Sequence, residues 1–170
     1  PDLWDGRAAS RAVARLKRRS GGAAEDLAMN SELEVLRIVS ERLDSLGLRF
    51  MLTGSFAMAF YATPRMTRDL DIVVAFWRRD VPRVVAGFAA DFYVDEDAAR
   101  EAVRDGRLFN LMHLGSGIKI DFIVRKNDPY RRLELDRRQR AEVGGLATWV
   151  VSREDLILSK LVWGKLSGSE

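Results

Sequence analysis

Hydrophobic positions set out the architecture of the chain before any chemistry is considered. Over residues 31–46 they recur every three or four places, at Leu33, Leu36, Val39, Leu43 and Leu46, with Ile38 alongside. That is the stripe of an amphipathic helix laid on a sheet. Asn30 or Ser31 suits its N-cap, Glu34 completes a capping box with Ser31, and Gly47 ends it. Residues 50–53 form an apolar run short enough for one buried strand. Gly54-Ser55 breaks that run, residues 56–61 read as an apolar helical segment, and residues 62–68 as a turn-rich connection. A second strand, residues 69–74, sends Leu70, Ile72 and Val74 toward a core and Asp69 and Asp71 to the opposite face.

The same patterning continues downstream. Residues 81–88 predict a helix with Pro82 in its first turn and Val81, Val84, Val85 and Phe88 on its buried side. Residues 92–94 predict a short strand. Residues 97–105 predict a polar surface helix anchored by Ala98, Ala102 and Val103 and ended by Gly106, with Asp95, Glu96 and Asp97 capping its start. Two strands, residues 108–114 and 118–124, flank the hairpin signal Gly115-Ser116-Gly117. Residues 144–151 read as a hairpin turn and strand. A last helix over 152–163 opens with a capping box from Ser152 to Asp155 and has Leu156, Ile157, Leu161 and Val162 or Trp163 for its buried side. The pattern therefore predicts an α/β (α+β) fold, a small mixed β-sheet with flanking helices.

Composition adds limits. A chain of 170 residues with 47 % hydrophobic and 31 % charged residues has enough material for one cored domain. There is no cysteine, which excludes disulfides and thiolate metal sites. No run of about 18 apolar residues and no signal-peptide pattern occurs, so a soluble, cytoplasmic protein without membrane attachment is expected. The net charge of +3 permits a polyanionic partner without requiring one. Positive charge concentrates in two places. Residues 1–28 form a basic N-terminal extension, with a short basic helix over 7–19 and a stop at Ser20-Gly21-Gly22. It reads either as a solvated arm or as one that touches nucleic acid or a partner. The second is the stretch holding Arg125, Lys126, Arg131, Arg132, Arg137, Arg138 and Arg140, interspersed with Glu134, Asp136 and Glu142. A solvated surface loop and an anion site are both compatible with it. Residues 29–151 make up the core and residues 152–170 begin a C-terminal helical region.

Candidate chemistry lies in three places. Gly54-Ser55, between strand and helix, offers free backbone N–H groups and a helix N-terminus to a phosphate, although such a dipeptide alone is most often a plain turn. Asp69 and Asp71, side by side on one strand face, repel each other unless a cation lies between them, and hard carboxylate oxygens suit Mg²⁺. A solvated strand edge is the plainer reading of such a pair. Asp121 interrupts the most apolar strand in the chain, where an unpaired acid is costly to bury. It therefore faces a cleft, pairs with Lys119 or an arginine, or binds a cation. His113, the only histidine, has no identifiable partner and reads as a half-buried structural residue.

Gly54, Ser55, Asp69 and Asp71, in that order within a strand–turn–helix–strand unit, resemble the signature of the nucleotidyltransferase superfamily with its DNA polymerase beta-like fold. The spelling Thr67-Arg68-Asp69-Leu70-Asp71-Ile72 is most similar to the abortive-infection, AbiEii-like toxin branch. The resemblance covers about residues 31–163. It implies that Asp69, Asp71 and Asp121 are catalytic and hold Mg²⁺, as a two-metal site, and that Gly54 and Ser55 cradle the phosphates of a nucleoside triphosphate. Arg65 and Arg68 become candidate cationic helpers. Lys160 matches a helix of the form acid-Leu-Ile-x-x-Lys that carries a lysine toward the nucleotide; taken alone, it reads as a surface residue. Implied partners are an acceptor hydroxyl on tRNA or a protein, and an antitoxin protein. A small hydroxylated acceptor, or a non-catalytic RNA- or antitoxin-binding module that keeps the fold, are the alternatives. Members of this branch continue into further helices, so the acceptor-binding half of this chain is expected to be short or missing.

Overall fold

In the computed structural model, which describes residues 23–58, 61, 69–143 and 145–167, seven strands pair into one mixed sheet in the order β3-β4-β5-β2-β1-β7-β6. The strands are β1 (Arg49–Thr53), β2 (Asp69–Ala75), β3 (Phe92–Val94), β4 (Leu108–His113), β5 (Lys119–Val124), β6 (Gln139–Val143) and β7 (Leu146–Val150). The helices are α1 (Ala23–Ser45), α2 (Gly54–Met58), α3 (Val81–Phe88), α4 (Glu96–Asp105), α5 (Pro129–Asp136) and α6 (Arg153–Ser167). A single 3-10 turn, Arg78–Asp80, leads into α3. The expected mixed sheet with flanking helices is present.

Alternation decides the two faces. Leu70, Ile72 and Val74 of β2 and Ile120, Phe122 and Val124 of β5 are all buried on one side, as period-2 geometry requires. There they meet α1, whose Val35, Leu36, Val39 and Leu43 are buried, and α3, which contributes Val81, Val84 and Phe88. Phe88, Phe92, Phe122, Phe109 and Phe76 form a chain of edge-to-face rings with centroids 5.3–6.0 Å apart. The Arg42 guanidinium covers Phe88 and Phe92 and pairs with Asp91 through both its terminal nitrogens. The opposite face carries the acids.

Several local expectations are corrected. The first helix starts at Ala23, so Ser31 lies inside it and its capping box with Glu34 does not form; Glu34 pairs instead with Arg37 one turn on. Gly47 does end the helix, at φ 66°, its N–H donating to Asp44 and that of Leu48 to Leu43. The segment after β1 turns helical already at Gly54 and is described only to Met58. Helix α4 buries Ala99 and Ala102, not Ala98, whose N–H donates to the capping carboxylate of Asp95. In α6, Leu156 is buried but Ile157, Leu161 and Val162 are exposed, so its predicted apolar side faces outward.

The basic stretch after β5 is not a loop. It is α5 followed by β6, begun by an Asp128 cap and Pro129 at the first helical position. Most of its charges are used internally. Arg131 pairs with Glu134, Arg137 with Asp155, and Arg138 and Arg140 lie over the Trp149 ring. Most of the N-terminal extension, the turn holding Arg65 and Arg68, and Gly144 lie outside the described residues.

Candidate active site

Pairing register builds the site. β2 and β5 run parallel, with Asp71 opposite Asp121 and Asp69 opposite Lys119. Directly paired residues point to the same face, and neighbouring strands are about 5 Å apart. The three carboxylates therefore share one face, including Asp121, whose side of the sheet decides whether they can work together. Thr53, the last residue of β1, stands opposite Asp71 on its other flank.

Gly54 closes over Asp71. Its φ is 68°, and a Cβ built on it would come within 1.8 Å of Asp71 Oδ2. Only glycine lets the backbone approach the carboxylate this closely. The Ser55 backbone bonds to Asp71, while its hydroxyl accepts from Lys160 Nζ of α6 at 3.4 Å. Lys160 thus lies beside the Gly-Ser turn. The backbone of the Gly-Ser turn is turned toward a carboxylate, and a cationic side chain stands beside its hydroxyl.

The electrostatics are uneven. The Asp71 pKa is raised, first by burial and then by the negative charges of Asp121 and Asp69, with Lys160 and the Ser55 backbone opposing. Asp121 Oδ1 is buried and has no hydrogen-bond partner among the described residues. Its other oxygen, Oδ2, meets Lys119 Nζ at 3.3 Å, and the same ammonium lies 3.5 Å from Asp69 Oδ2. The Lys119–Asp121 pair, one of the readings the sequence left open, is thus present alongside the clustering of the acids. Among the described residues no group of three or more His, Cys, Asp or Glu side chains closes around a common metal position. A buried carboxylate oxygen without a donor, next to a second carboxylate that resists ionisation, fits a hard cation held between Asp71 and Asp121.

From Asp71 a cleft of about 450 Å³ runs between the open face of β2 and β5 and helices α5 and α6. Val73, Ile123 and Leu156 give it an apolar floor, while Arg107, Arg125, Lys126 and Lys160 bring positive charge to its wall. An apolar floor with cationic walls beside a carboxylate pair suits an anionic ligand with a flat apolar part.

Two arrangements were not anticipated from the sequence. One is the reach of Lys119 to Asp69 as well as to Asp121, its expected partner; the i, i+2 spacing puts Lys119 and Asp121 on one face. The other is the polar bridge between α5 and α6. Glu134, 2 % exposed, accepts from Arg131 and from Ser159. Asp155, fully buried, accepts from Arg137, from Ser152 at 2.7 Å and from Tyr130 at 3.2 Å. This bridge fixes α6, and with it Lys160, relative to the sheet. His113 bonds to Ser116 and tilts against Phe92, away from the acids in register, in keeping with a structural role.

Comparison with known proteins bears on the family and the fold. The family "Nucleotidyl transferase AbiEii toxin, Type IV TA system" matches residues 37–163. Two solved structures share the fold. A candidate nucleotidyltransferase from Thermotoga maritima has a TM-score of 0.60 at 18 % identity over 82 % of this chain and 89 % of that one. An antigenic nucleotidyltransferase-like protein from Paracoccidioides brasiliensis has a TM-score of 0.53 at 18 % identity over 78 % and 66 %. No curated protein sequence matches the chain.

Proposed function

This chain belongs to the nucleotidyl transferase AbiEii toxin family of type IV toxin–antitoxin systems, and on that premise we propose that it moves a nucleoside monophosphate from a triphosphate to a hydroxyl of tRNA, with Mg²⁺ as cofactor. A member of this family is an enzyme of the nucleotidyltransferase type, uses a nucleoside triphosphate and has an antitoxin counterpart. No helix among the described residues is long and apolar enough to cross a membrane.

The observation that carries the reading is the register of Asp71 against Asp121 beneath the Gly54 backbone. Bound Mg²⁺ supplies Lewis-acid charge to the phosphate oxygens, and Asp71 and Asp121, with Asp69, are the residues that would hold it. The Ser55 hydroxyl, next to Gly54, would face the β- and γ-phosphates, and Lys160 adds a cation beside it. Val73 and Ile123 supply apolar surface for the base. Asp121 accepts the proton of the acceptor hydroxyl as its oxygen attacks the α-phosphorus. The bond between the α-phosphorus and the bridging oxygen breaks, and pyrophosphate leaves with the electron pair. Arg107, Arg125 and Lys126 line the cleft wall, and this favours a polyanionic acceptor over a neutral small molecule. Arg65 and Arg68 remain candidates for the leaving phosphates.

The test is incubation with each α-labelled triphosphate, Mg²⁺ and bulk tRNA. Label on tRNA, lost with chelator and in Asp71→Asn, is the expected result. Label appearing on protein instead would replace the acceptor. RNA binding that needs no nucleotide, with no label transferred under any condition, would overturn the enzymatic reading for this chain in favour of a binding module.

A further inference from the structure

Resting on the transferase reading, the inference concerns how many metal ions the site takes. A two-metal transfer site places positive charge against the attacking and the leaving oxygens, with each ion seated on carboxylates. The structure already holds a cation on one pair of those carboxylates. Lys119 Nζ lies 3.5 Å from Asp69 Oδ2 and 3.3 Å from Asp121 Oδ2, so it sits between carboxylates of two adjacent strands. Its backbone is held in the middle of the sheet, paired to Asp69 on one side and to Met112 on the other. Its side chain therefore starts from the acid face and ends between the two carboxylates.

On the other side of Asp121 the situation is reversed. Oδ1 is buried without a partner, and the carboxylate in register with it, Asp71, carries the closest approach of the Gly54 backbone. One edge of Asp121 is satisfied by an ammonium and the other is left for something outside the chain. A divalent ion placed between Asp69 and Asp121 would have to share that space with Lys119. Like charges a few ångströms apart in a half-buried site repel each other strongly. An ion between Asp71 and Asp121 would meet Asp121 through Oδ1, the oxygen Lys119 does not pair with, while Lys160 acts on Asp71 from the Ser55 side.

We infer that Lys119 serves as one of the two cations of the transfer site, so that this chain takes a single divalent ion, on the Asp71–Asp121 side. The inference replaces the two-metal expectation by one metal and one lysine. Lys119 holds Asp69 and Asp121 in place before substrate arrives and occupies the place a second ion would take between them.

The test is a Mn²⁺ titration of the protein without nucleotide, read by the loss of the free-ion paramagnetic resonance signal, on the wild type, Lys119→Met, Lys119→Arg and Asp71→Asn. The wild type and Lys119→Arg are expected to bind one ion per chain. Lys119→Met is expected to bind a second ion or to tighten the first about tenfold or more, and Asp71→Asn to lose the ion. Thermal melts of all four verify that each is folded. Two ions on the wild type, or an unchanged stoichiometry and affinity in a folded Lys119→Met, would overturn the inference while leaving the transferase reading intact. Absence of any bound Mn²⁺ on the wild type, together with absence of label transfer, would overturn both.

Discussion

Two groups of carboxylates lie on either side of the cleft, and the fold treats them in opposite ways. Asp155, at the start of α6, is completely buried, and around it Arg137, Ser152 and Tyr130 supply donors to both oxygens. Burial alone would raise its pKa; Arg137, Ser152 and Tyr130 outweigh that and hold it below the usual carboxylate range. Asp71, on β2, is less buried and yet has its pKa raised, because burial combines with Asp121 and Asp69 to penalise its charge. One group has all its partners within the chain and contributes to stability. The other is left short of positive charge, and a ligand is what would complete it. The difference separates a carboxylate that builds the molecule from one that is available for chemistry.

The largest effect should come from removing charge at the second group. Asp71→Asn keeps an oxygen for the Ser55 backbone and relieves the repulsion with Asp121. Transfer should fall by on the order of 10³-fold or more, while the thermal midpoint should rise by a few degrees. Retained transfer, or a lowered midpoint, would place Asp71 with the structural acids. Gly54→Ala attacks the same group through its roof. A methyl cannot coexist with Asp71 Oδ2 at 1.8 Å, so the carboxylate must move, and φ 68° adds a backbone cost of about 1 kcal/mol. A loss of transfer of roughly 10²-fold in a protein that still melts cooperatively is expected. Near-normal turnover would show that the carboxylate need not lie against the turn.

At the first group the order of effects reverses. Asp155→Ala removes the acceptor shared by Arg137, Ser152 and Tyr130, while Ser152 Oγ can still accept the backbone N–H of residue 155. A loss of about 2–4 kcal/mol in chemical denaturation is expected, with metal binding by the remaining folded protein unchanged. A variant that lost less than about 1 kcal/mol would mean that water replaces the network and that Asp155 is no cornerstone.

Local patterning carried most of the fold in the sequence. β2 and β5 were readable because strict alternation of apolar and polar residues survives in both, and it put Asp69, Asp71 and Asp121 on predictable faces. Their joining was not readable. It depends on β2 and β5 being neighbours in parallel, a crossover across more than forty positions that no spacing encodes. α5 and β6 were hidden by their charges, since arginines that stack on Trp149 or bond Asp155 look like a solvated run when partners are unknown. The Asp128-Pro129 start signal was present and outweighed by that run. α6 failed differently: its Leu161 and Ile157 look like a buried stripe, and burial needs a partner surface that a helix pattern cannot supply. Lys119 was visible as a neighbour of Asp121, but its reach to Asp69 is again a consequence of strand register.

The smallest effect is also the most discriminating, because the two groups differ in sign. A carboxyl whose pKa folding raises, as for Asp71, favours the folded state below the ordinary carboxylate range, near pH 4, and loses that contribution as pH climbs through the raised value. A carboxyl whose pKa folding lowers, as for Asp155, contributes above that range and loses its contribution as pH falls through the lowered value. Melting midpoints followed from about pH 7 down to about pH 3 should therefore respond to the two amides on different flanks. Asp155→Asn should flatten the fall at the acid end, starting from a lower plateau. Asp71→Asn should leave the acid end alone and lift the neutral end, by no more than a few degrees since water still screens part of the side chain. If both variants bent the curve on the same flank, the contrast between a completed and an uncompleted acid group would be lost, and with it the reason for assigning chemistry to one and architecture to the other.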